Sequence, residues 1–250
     1  MKLAAAAGAD RPRHASLDMV RGVAILAMVV YHFSWDLTFF GLADFRIFED
    51  PAWIWFARCI AGTFLFVMGV AQVMARRRGL SAPAFWRRFA LVAGCAAAIS
   101  AATWAMDPET FIFFGILHHM ALAALLIVPC LRLPTVGLAA LALFCFAAPD
   151  LLTGPAFGHP LLAWTGLAPY VVLSSDFVPL FPWFGVALAG AVTGRAVLRD
   201  GRLPPALDWS DRAPPARALR LAGRYSLLIY MVHQPLLFGG LYLLTTLTMG

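Results

Sequence analysis

Long apolar stretches separated by short polar gaps run along almost the whole chain. A helix needs about 20 apolar residues to cross the hydrocarbon core of a bilayer. Seven stretches approach that length, and they predict spans at 17–39, 53–74, 89–106, 111–131, 135–152, 178–198 and 223–246. The apolar stretch 160–173 is short and contains Pro169, so we interpret it as a re-entrant or interfacial segment. The pattern predicts an all-α fold, a polytopic bundle of membrane-spanning helices.

The composition supports this class and limits the domain organisation. Hydrophobic residues make up 62% of the chain and charged residues 13%, and the mean hydropathy is +0.80. A soluble domain has about a quarter of its residues charged, so lipid must solvate much of this surface. We predict a single membrane domain over 1–250, with a cytoplasmic leader at 1–16 and a Pro- and Arg-rich cytoplasmic connector at 200–217. The leader lacks an apolar core, so the first span is expected to direct insertion.

Basic and acidic residues collect in alternate gaps between the predicted spans. One set of gaps holds Lys2, Arg11, Arg13, Arg76, Arg77, Arg78, Arg87, Arg88, Arg132 and the arginines from Arg195 to Arg224. The other set holds Asp44, Glu49, Asp50, Asp107, Glu109, Asp150 and Asp176, with Arg46 and Arg58 as basic exceptions. Cytoplasmic loops carry the Lys and Arg excess, which predicts the N-terminus inside and the C-terminus outside. This asymmetry explains the net charge of +6, and no nucleic-acid partner is expected.

The four cysteines, Cys59, Cys95, Cys130 and Cys145, lie in or beside the apolar stretches. No two of them have a CxxC spacing. We interpret them as small buried hydrophobic residues and expect neither a disulfide nor a bound metal.

The first predicted span carries ionisable residues, which are costly inside a membrane and usually functional there. Arg21 and His32 are eleven positions apart, which is almost a whole number of helical turns. Ile25, Met28 and Asp36 fall on the same stripe. Arg21 would therefore lie near the cytoplasm, and His32 would lie roughly 16 Å further along the same helix face.

This spacing suits an acyl donor that has a phosphorylated nucleotide and a long, thin pantetheine arm. Arg21 can pair with phosphate oxygens, and the arm can extend along the bundle to present its thioester near His32. A neutral imidazole can remove a proton from an attacking hydroxyl or amine, and Asp36 can fix its tautomer. In the structural alternative, Asp18 and Arg21 are a helix-start cap and a snorkelling cation, and His32 and Asp36 form a buried pair.

Several segments resemble one family of membrane enzymes, in the same order along the chain. They are "LDMVRGVAILAMVVYH" in the first span, "FLFVMGVAQ" at 64–72, "FFGILHHMAL" at 113–122, "DFVPLFPWFGVALAG" at 176–190 and "YSLLIYMVHQPLL" at 225–237. The chain resembles the heparan-alpha-glucosaminide N-acetyltransferase family and its small bacterial relatives. It is also similar to the acyltransferase type 3 family, whose first span is marked by an Arg and a His spaced as Arg21 and His32 are here.

The resemblance implies an N- or O-acyltransferase that takes an acyl group, acetyl in this family's usage, from cytoplasmic acyl-CoA as co-substrate. The acceptor would be an amine or hydroxyl of a sugar-like or lipid-linked molecule at the outer face, and the location a bacterial inner (plasma) membrane. The match carries over Arg21 as a donor-binding residue and His32 as the catalytic residue. It leaves open whether transfer is direct or passes through an acyl-histidine.

Other polar residues inside the spans are candidates for acceptor binding or a proton relay. His118 and His119 point about 100° apart on a helix, so only one can face a shared cavity, and the alternative is a helix–helix hydrogen bond. His233 can line the donor channel. Pro235 frees a backbone carbonyl one turn earlier, which His233 or Gln234 can instead satisfy.

Charged residues near the span ends have two interpretations each. Arg58 can snorkel or pair with Asp36 or Asp176, and Asp176 can bind a sugar hydroxyl or cap the helix of the sixth span. The cytoplasmic arginines can form a phosphate landing site for the donor, or they can set topology and contact lipid headgroups. The landing-site residues would be Arg76, Arg77, Arg87 and Arg88.

Two other functional classes also fit a polar membrane bundle. A proton-coupled transporter or flippase would use the intramembrane His and Asp residues, with 154–182 as a gate, although the chain has no inverted repeat. A non-catalytic scaffold would bind no acyl-CoA. A homo-oligomer is compatible with any of these functions.

Overall fold

In the computed structural model, which describes residues 14–79, 81–198, 202–205, 207 and 213–249, the regular elements are helices. The α-helices of this part are α1 (Ala15–Phe39), α2 (Pro51–Arg77), α3 (Ala82–Met106), α4 (Ile116–Cys130), α5 (Thr135–Leu152), α6 (Leu180–Val197), α7 (Pro214–Arg224) and α8 (Ser226–Met249). Two short 3₁₀ helices, Pro155–Phe157 and Pro160–Thr165, lie between α5 and α6. Most of the predicted leader and much of the predicted connector lie outside the described residues. The last part of the connector belongs to α7.

The prediction of an all-α polytopic membrane bundle is confirmed. Of the described helices, α1, α2, α3, α5, α6 and α8 are long and apolar enough to cross a bilayer. Each corresponds to one of the predicted spans. The stretch predicted as re-entrant or interfacial contains the 3₁₀ helix Pro160–Thr165, which ends at Gly166 in the left-handed region (φ 80°).

The fourth predicted span is shorter as a helix than the apolar pattern indicates. Helix α4 has 15 residues, or about 22 Å, against a hydrocarbon core of about 30 Å. The residues before it form a loop whose backbone bonds to the chain entering α6: the amides of Ser175 and Val178 donate to the carbonyls of Thr110 and Phe114 at 2.8 and 3.1 Å. These bonds provide hydrogen-bond partners for backbone groups of the loop, so the apolar residues 111–115 do not have to form a helix.

Close contact between α2 and α6 forms the centre of the bundle, with α5 packed on the other side of α6. A Cβ at Gly69 would overlap the carbonyl of Ala187, and a Cβ at Gly190 would overlap the carbonyl of Phe66. Small residues allow the two helices to approach this closely. Close approach adds van der Waals contacts, which matter in a membrane because lipid tails are as apolar as the side chains and no hydrophobic effect drives the helices together. Fully buried Leu65 and Leu188 belong to the core that surrounds this crossing.

Helix α1 packs on α2 and is also contacted by α7 and α8. Gly22 lies against the backbone of Leu219, and Gly223 lies against the carbonyl of Asp18, so α7 crosses α1 closely. Helix α8 then follows α1, and α3 packs mainly on α4 with most of its apolar surface exposed.

Arginine side chains connect the C-terminal ends of α2, α4 and α6. Arg76 donates to the carbonyl of Val128 at 3.5 Å, and Arg77 donates to the carbonyls of Arg195 (3.1 Å) and Leu198. Arg195 donates to the carbonyls of Leu131 and Leu133, each at 2.7 Å. We call this the basic end of the bundle. The opposite end, with loops 107–115 and 166–179 and the end of α1, is called the acidic end.

Candidate active site

Two pairs of polar side chains meet across the contact between α1 and α8. The ring centroids of His32 and His233 are 4.9 Å apart. Asp36 lies one turn beyond His32 on α1, and its Oδ1 accepts from the side-chain amide of Gln234, the residue after His233, at 2.6 Å. Asp36 is 0% exposed and His233 is 7% exposed. These four residues, His32, Asp36, His233 and Gln234, are called the α1–α8 polar layer.

The backbone of α8 fixes the tautomer of His233. Its Nδ1 lies 2.8 Å from the carbonyl of Tyr230. A carbonyl only accepts, so Nδ1 carries the hydrogen and Nε2 of the neutral ring carries a lone pair. Pro235 has no amide hydrogen to donate to the carbonyl of Met231, and His233 and Gln234 were the predicted replacements. In the structure, Gln234 donates to Asp36 on α1 and His233 bonds to the carbonyl of Tyr230.

Asp36 lies on the predicted helix face, but its hydrogen-bond partner comes from another helix. Within the described residues, no hydrogen bond joins Asp36 to His32. Helical spacing brings His32 and Asp36 near each other, but it does not determine which group the carboxylate accepts a hydrogen bond from. In the structure the donor is Gln234, a residue 198 positions away in the chain.

A cleft of about 140 Å³ has walls from α1, α2, α3, α4 and α8. Arg21 and Arg88 border it, Phe64 and Met68 line its apolar wall, and Tyr230 lines it as well. The four residues of the α1–α8 polar layer are not among its lining residues. A second cavity of about 70 Å³ also includes Met68 and Arg88. The cleft thus combines guanidinium groups with apolar side chains.

The five predicted donor-binding arginines have three different placements. Arg21 and Arg88 border the cleft, and Arg21 also forms an ion pair with Asp18 at 3.2 Å. Arg76 and Arg77 bind helix carbonyls at the basic end. Arg87 is exposed on α3. Among these five, Arg21 and Arg88 are therefore the arginines best placed to meet a ligand in the cleft.

Tyr230 is a site residue that the sequence reasoning missed. It lines the cleft, its ring centroid lies 5.8 Å from that of His233, and its hydroxyl donates to Oδ2 of Asp176 at 3.4 Å. Tyr230 therefore lies between the cleft and the polar layer. Tyr230 precedes His233 by three residues and so lies on nearly the same helix face, which is the feature of the sequence that could have identified it as a site residue.

Asp176 caps α4 and does not cap the helix that follows it in sequence. Its Oδ2 accepts from the backbone amide of Ile116 at 2.9 Å, at the N-terminus of α4. The prediction that it caps the sixth span is wrong, because the loop 174–178 folds back over the start of α4. Burial raises the pKa of Asp176, and the hydrogen bonds from Ile116 and Tyr230 act in the opposite direction.

Replacing Asp176 with alanine is expected to lower the free energy of unfolding by about 1 to 2 kcal/mol, because the α4 N-terminus loses its cap. Thermal unfolding of the purified protein in detergent measures this effect. Asp150→Ala, which removes an exposed carboxylate from α5, is the matched control. Equal stability of the two variants would contradict the assigned cap.

The remaining predicted site residues contact other parts of the bundle. His118 accepts from the amide of Gly115 at 3.2 Å, and its Nε2 lies 3.0 Å from the hydroxyl of Ser100 on α3. His119 is buried, and its Nδ1 lies 3.2 and 3.1 Å from the carbonyls of Val178 and Pro179. Both rings connect α4 to its neighbours.

Arg58 lies on the exposed surface of α2. Its guanidinium lies 5.2 Å from the centre of the Trp55 ring on the same helix. Neither Asp36 nor Asp176 forms an ion pair with it within the described residues.

Comparison with known proteins identifies one family. The family model described as heparan-alpha-glucosaminide N-acetyltransferase, catalytic, matches residues 13–235. No curated protein and no solved structure matches the chain. The matched range includes α1 to α7, the cleft and all four residues of the α1–α8 polar layer.

Proposed function

Since this chain belongs to the heparan-alpha-glucosaminide N-acetyltransferase catalytic family, we propose that it transfers an acyl group across the membrane. The donor is acyl-CoA, with acetyl as the acyl group, and it binds from the basic end. The acceptor is an amine or hydroxyl of a sugar-like molecule, free or lipid-linked, and it enters from the acidic end. By the positive-inside rule the basic end faces the cytoplasm, which gives an N-in, C-out protein of the bacterial inner membrane.

The observation that supports this proposal best is the cleft with arginines on its border and Tyr230 beside the histidines. A CoA thioester has anionic phosphates at one end and a thin arm that ends in the reactive carbonyl. Guanidinium groups pair with phosphate oxygens, and the apolar wall of Phe64 and Met68 suits the arm. The rise from Arg21 to His32 is roughly 16 Å, so a phosphate-bound donor can present its thioester at the polar layer.

His32 is proposed as the general base. The acceptor nitrogen or oxygen attacks the thioester carbonyl, and the new C–N or C–O bond forms as the C–S bond breaks. The acceptor's proton moves to the imidazole of His32 and then to the departing CoA thiolate. The neutral imidazole is the form that can accept this proton.

Isotope transfer tests the function directly. The purified protein in liposomes, supplied with acyl-labelled acetyl-CoA and glucosamine on opposite sides of the membrane, is expected to form labelled N-acetylglucosamine. Proton flux without acyl-CoA, and no labelled product with any amine or alcohol acceptor, would instead indicate a transporter.

Replacing Arg21 or Arg88 with glutamine is expected to raise the KM for acyl-CoA about tenfold or more, because a hydrogen bond to a charged group contributes about 1.5 to 3 kcal/mol. The KM for the acceptor should stay unchanged. Steady-state kinetics at saturating acceptor measures the effect. Arg87→Gln is the matched control, since Arg87 directly precedes Arg88 on α3 but is not among the residues that line the cleft. An equal rise in KM for Arg87→Gln would mean that surface charge, and not the cleft, attracts the donor.

A further inference from the structure

The α1–α8 polar layer contains three buried atoms that have no hydrogen-bond partner within the described residues. They are Oδ2 of Asp36, Oε1 of Gln234 and Nε2 of His233. A fourth such atom, Nε2 of His119, lies on α4 near the loop that enters α6. Buried polar atoms normally have partners, and leaving one without a partner costs about 1 to 3 kcal/mol. Three in one layer therefore indicate a site for a ligand.

With Asp36 ionised and the His233 ring neutral, all three atoms are hydrogen-bond acceptors. An ionised carboxylate only accepts, so Gln234 must present its NH₂ group to Asp36, which leaves its carbonyl oxygen free. His233 donates from Nδ1 to the Tyr230 carbonyl, so Nε2 of its neutral ring offers a lone pair. A ligand that satisfies this layer must bring N–H or O–H groups.

We propose that Asp36, Gln234 and His233 form the acceptor subsite, and that it selects neutral or cationic ligands with several N–H or O–H donors and rejects anionic ones. The proposal rests on the function proposed above, in which this ligand is the acyl acceptor. A carboxylate or phosphate on the ligand would bring more acceptors to a layer that already has three, and its charge would oppose that of Asp36. Gln234 and His233 thus determine specificity beside His32.

The position of the layer relative to the cleft supports this assignment. Tyr230 connects the layer to the cleft, because it lines the cleft and its ring centroid lies 5.8 Å from that of His233. Asp36 lies one turn beyond His32 on α1, and Gln234 directly follows His233 on α8. A donor in the cleft and an acceptor in the layer would meet beside Tyr230 and the two histidines.

Kinetics with paired variants tests the subsite. Asp36→Asn keeps the side-chain shape but removes the charge, and Gln234→Met keeps the volume but removes the carbonyl oxygen. Each is expected to raise the KM for glucosamine about tenfold or more, while the KM for acyl-CoA stays within about twofold of wild type. Ser34→Ala is the matched control, because Ser34 is buried on α1 and its hydroxyl donates to its own helix at Val30, 2.9 Å away. If Gln234→Met fails to fold, the KM for glucosamine of Asp36→Asn alone tests the proposal.

Binding measurements without acyl-CoA test the selectivity. In nanodiscs, methyl α-glucoside and glucosamine are expected to bind the wild-type protein at least about tenfold more tightly than glucuronate. Glucuronate binding as tightly as the neutral sugar would overturn the proposal. So would an unchanged acceptor KM in folded Asp36→Asn, even while acyl transfer proceeds. Selective sugar binding that depends on Asp36, without any acyl transfer, would support the subsite and would refute only the proposed enzymatic function.

Discussion

Replacing His32 with alanine is expected to lower kcat for acyl transfer by at least about 100-fold, because a positioned general base contributes about 10² to 10⁴ in rate. The ring centroid of His32 lies 4.9 Å from that of His233, and the His233 ring neighbours Tyr230 on the wall of the proposed donor cleft. Without His32, the acceptor's proton loses its proposed base at the thioester. The KM for acyl-CoA is expected to change little, since the proposed phosphate contacts are at Arg21 and Arg88.

The His32→Ala measurement needs evidence that the protein remains folded. Size-exclusion chromatography in detergent and acyl-CoA binding by calorimetry supply it. His159→Ala is the control, because His159 is an exposed histidine in the loop between α5 and α6 and only caps a 3₁₀ helix. Activity within a few-fold of wild type in folded His32→Ala would remove His32 from the mechanism.

Replacing Gly190 with alanine is expected to destabilise the bundle more than any other small substitution described here. The new Cβ would overlap the carbonyl of Phe66, so α2 and α6 would have to separate along their contact. Overpacking a tight contact costs about 1 to 3 kcal/mol and sometimes more. We expect about 3 kcal/mol, because backbone rather than a flexible side chain opposes the methyl group. The same result is expected for Gly69→Ala, where the carbonyl of Ala187 lies in the way.

Gly62→Ala is the matched control for this pair. Gly62 lies on α2 as Gly69 does, but a Cβ there would meet only a Trp183 ring atom at 3.8 Å, an ordinary contact. The helix should then gain about 0.5 to 1 kcal/mol from the replacement of glycine. Thermal unfolding in detergent compares the variants. Equal stability of Gly190→Ala and Gly62→Ala would contradict the close crossing of α2 and α6.

The hydrophobic pattern was sufficient to predict the class of the fold, because the hydrocarbon core sets both the length and the composition of a spanning helix. The pattern overestimated the length of α4. The apolar residues 111–115 are equally compatible with a helix and with a loop whose backbone hydrogen-bonds to a second loop. Hydropathy records how apolar a side chain is and does not report where its backbone hydrogen bonds go.

Half of the candidate site was visible on one helix. The spacing of Arg21, His32 and Asp36 follows from helical geometry alone, and all three lie on the side of α1 that faces the site. Their partners come from elements distant in the chain. The pairing of Asp36 with Gln234 depends on how α8 packs beside α1, which no local pattern specifies. For the same reason the sequence assigned Asp176 to the helix that follows it, while the fold places it at α4.

The most direct test is a structure of the protein with a non-hydrolysable thioether analogue of acetyl-CoA. We expect its phosphates at Arg21 and Arg88, its pantetheine arm along Phe64 and Met68, and its acyl carbonyl beside Tyr230 within reach of His32. An analogue bound on the exposed surface near Arg87, with its acyl group separated from His32 by protein, would contradict the proposed donor site and the proposed role of His32.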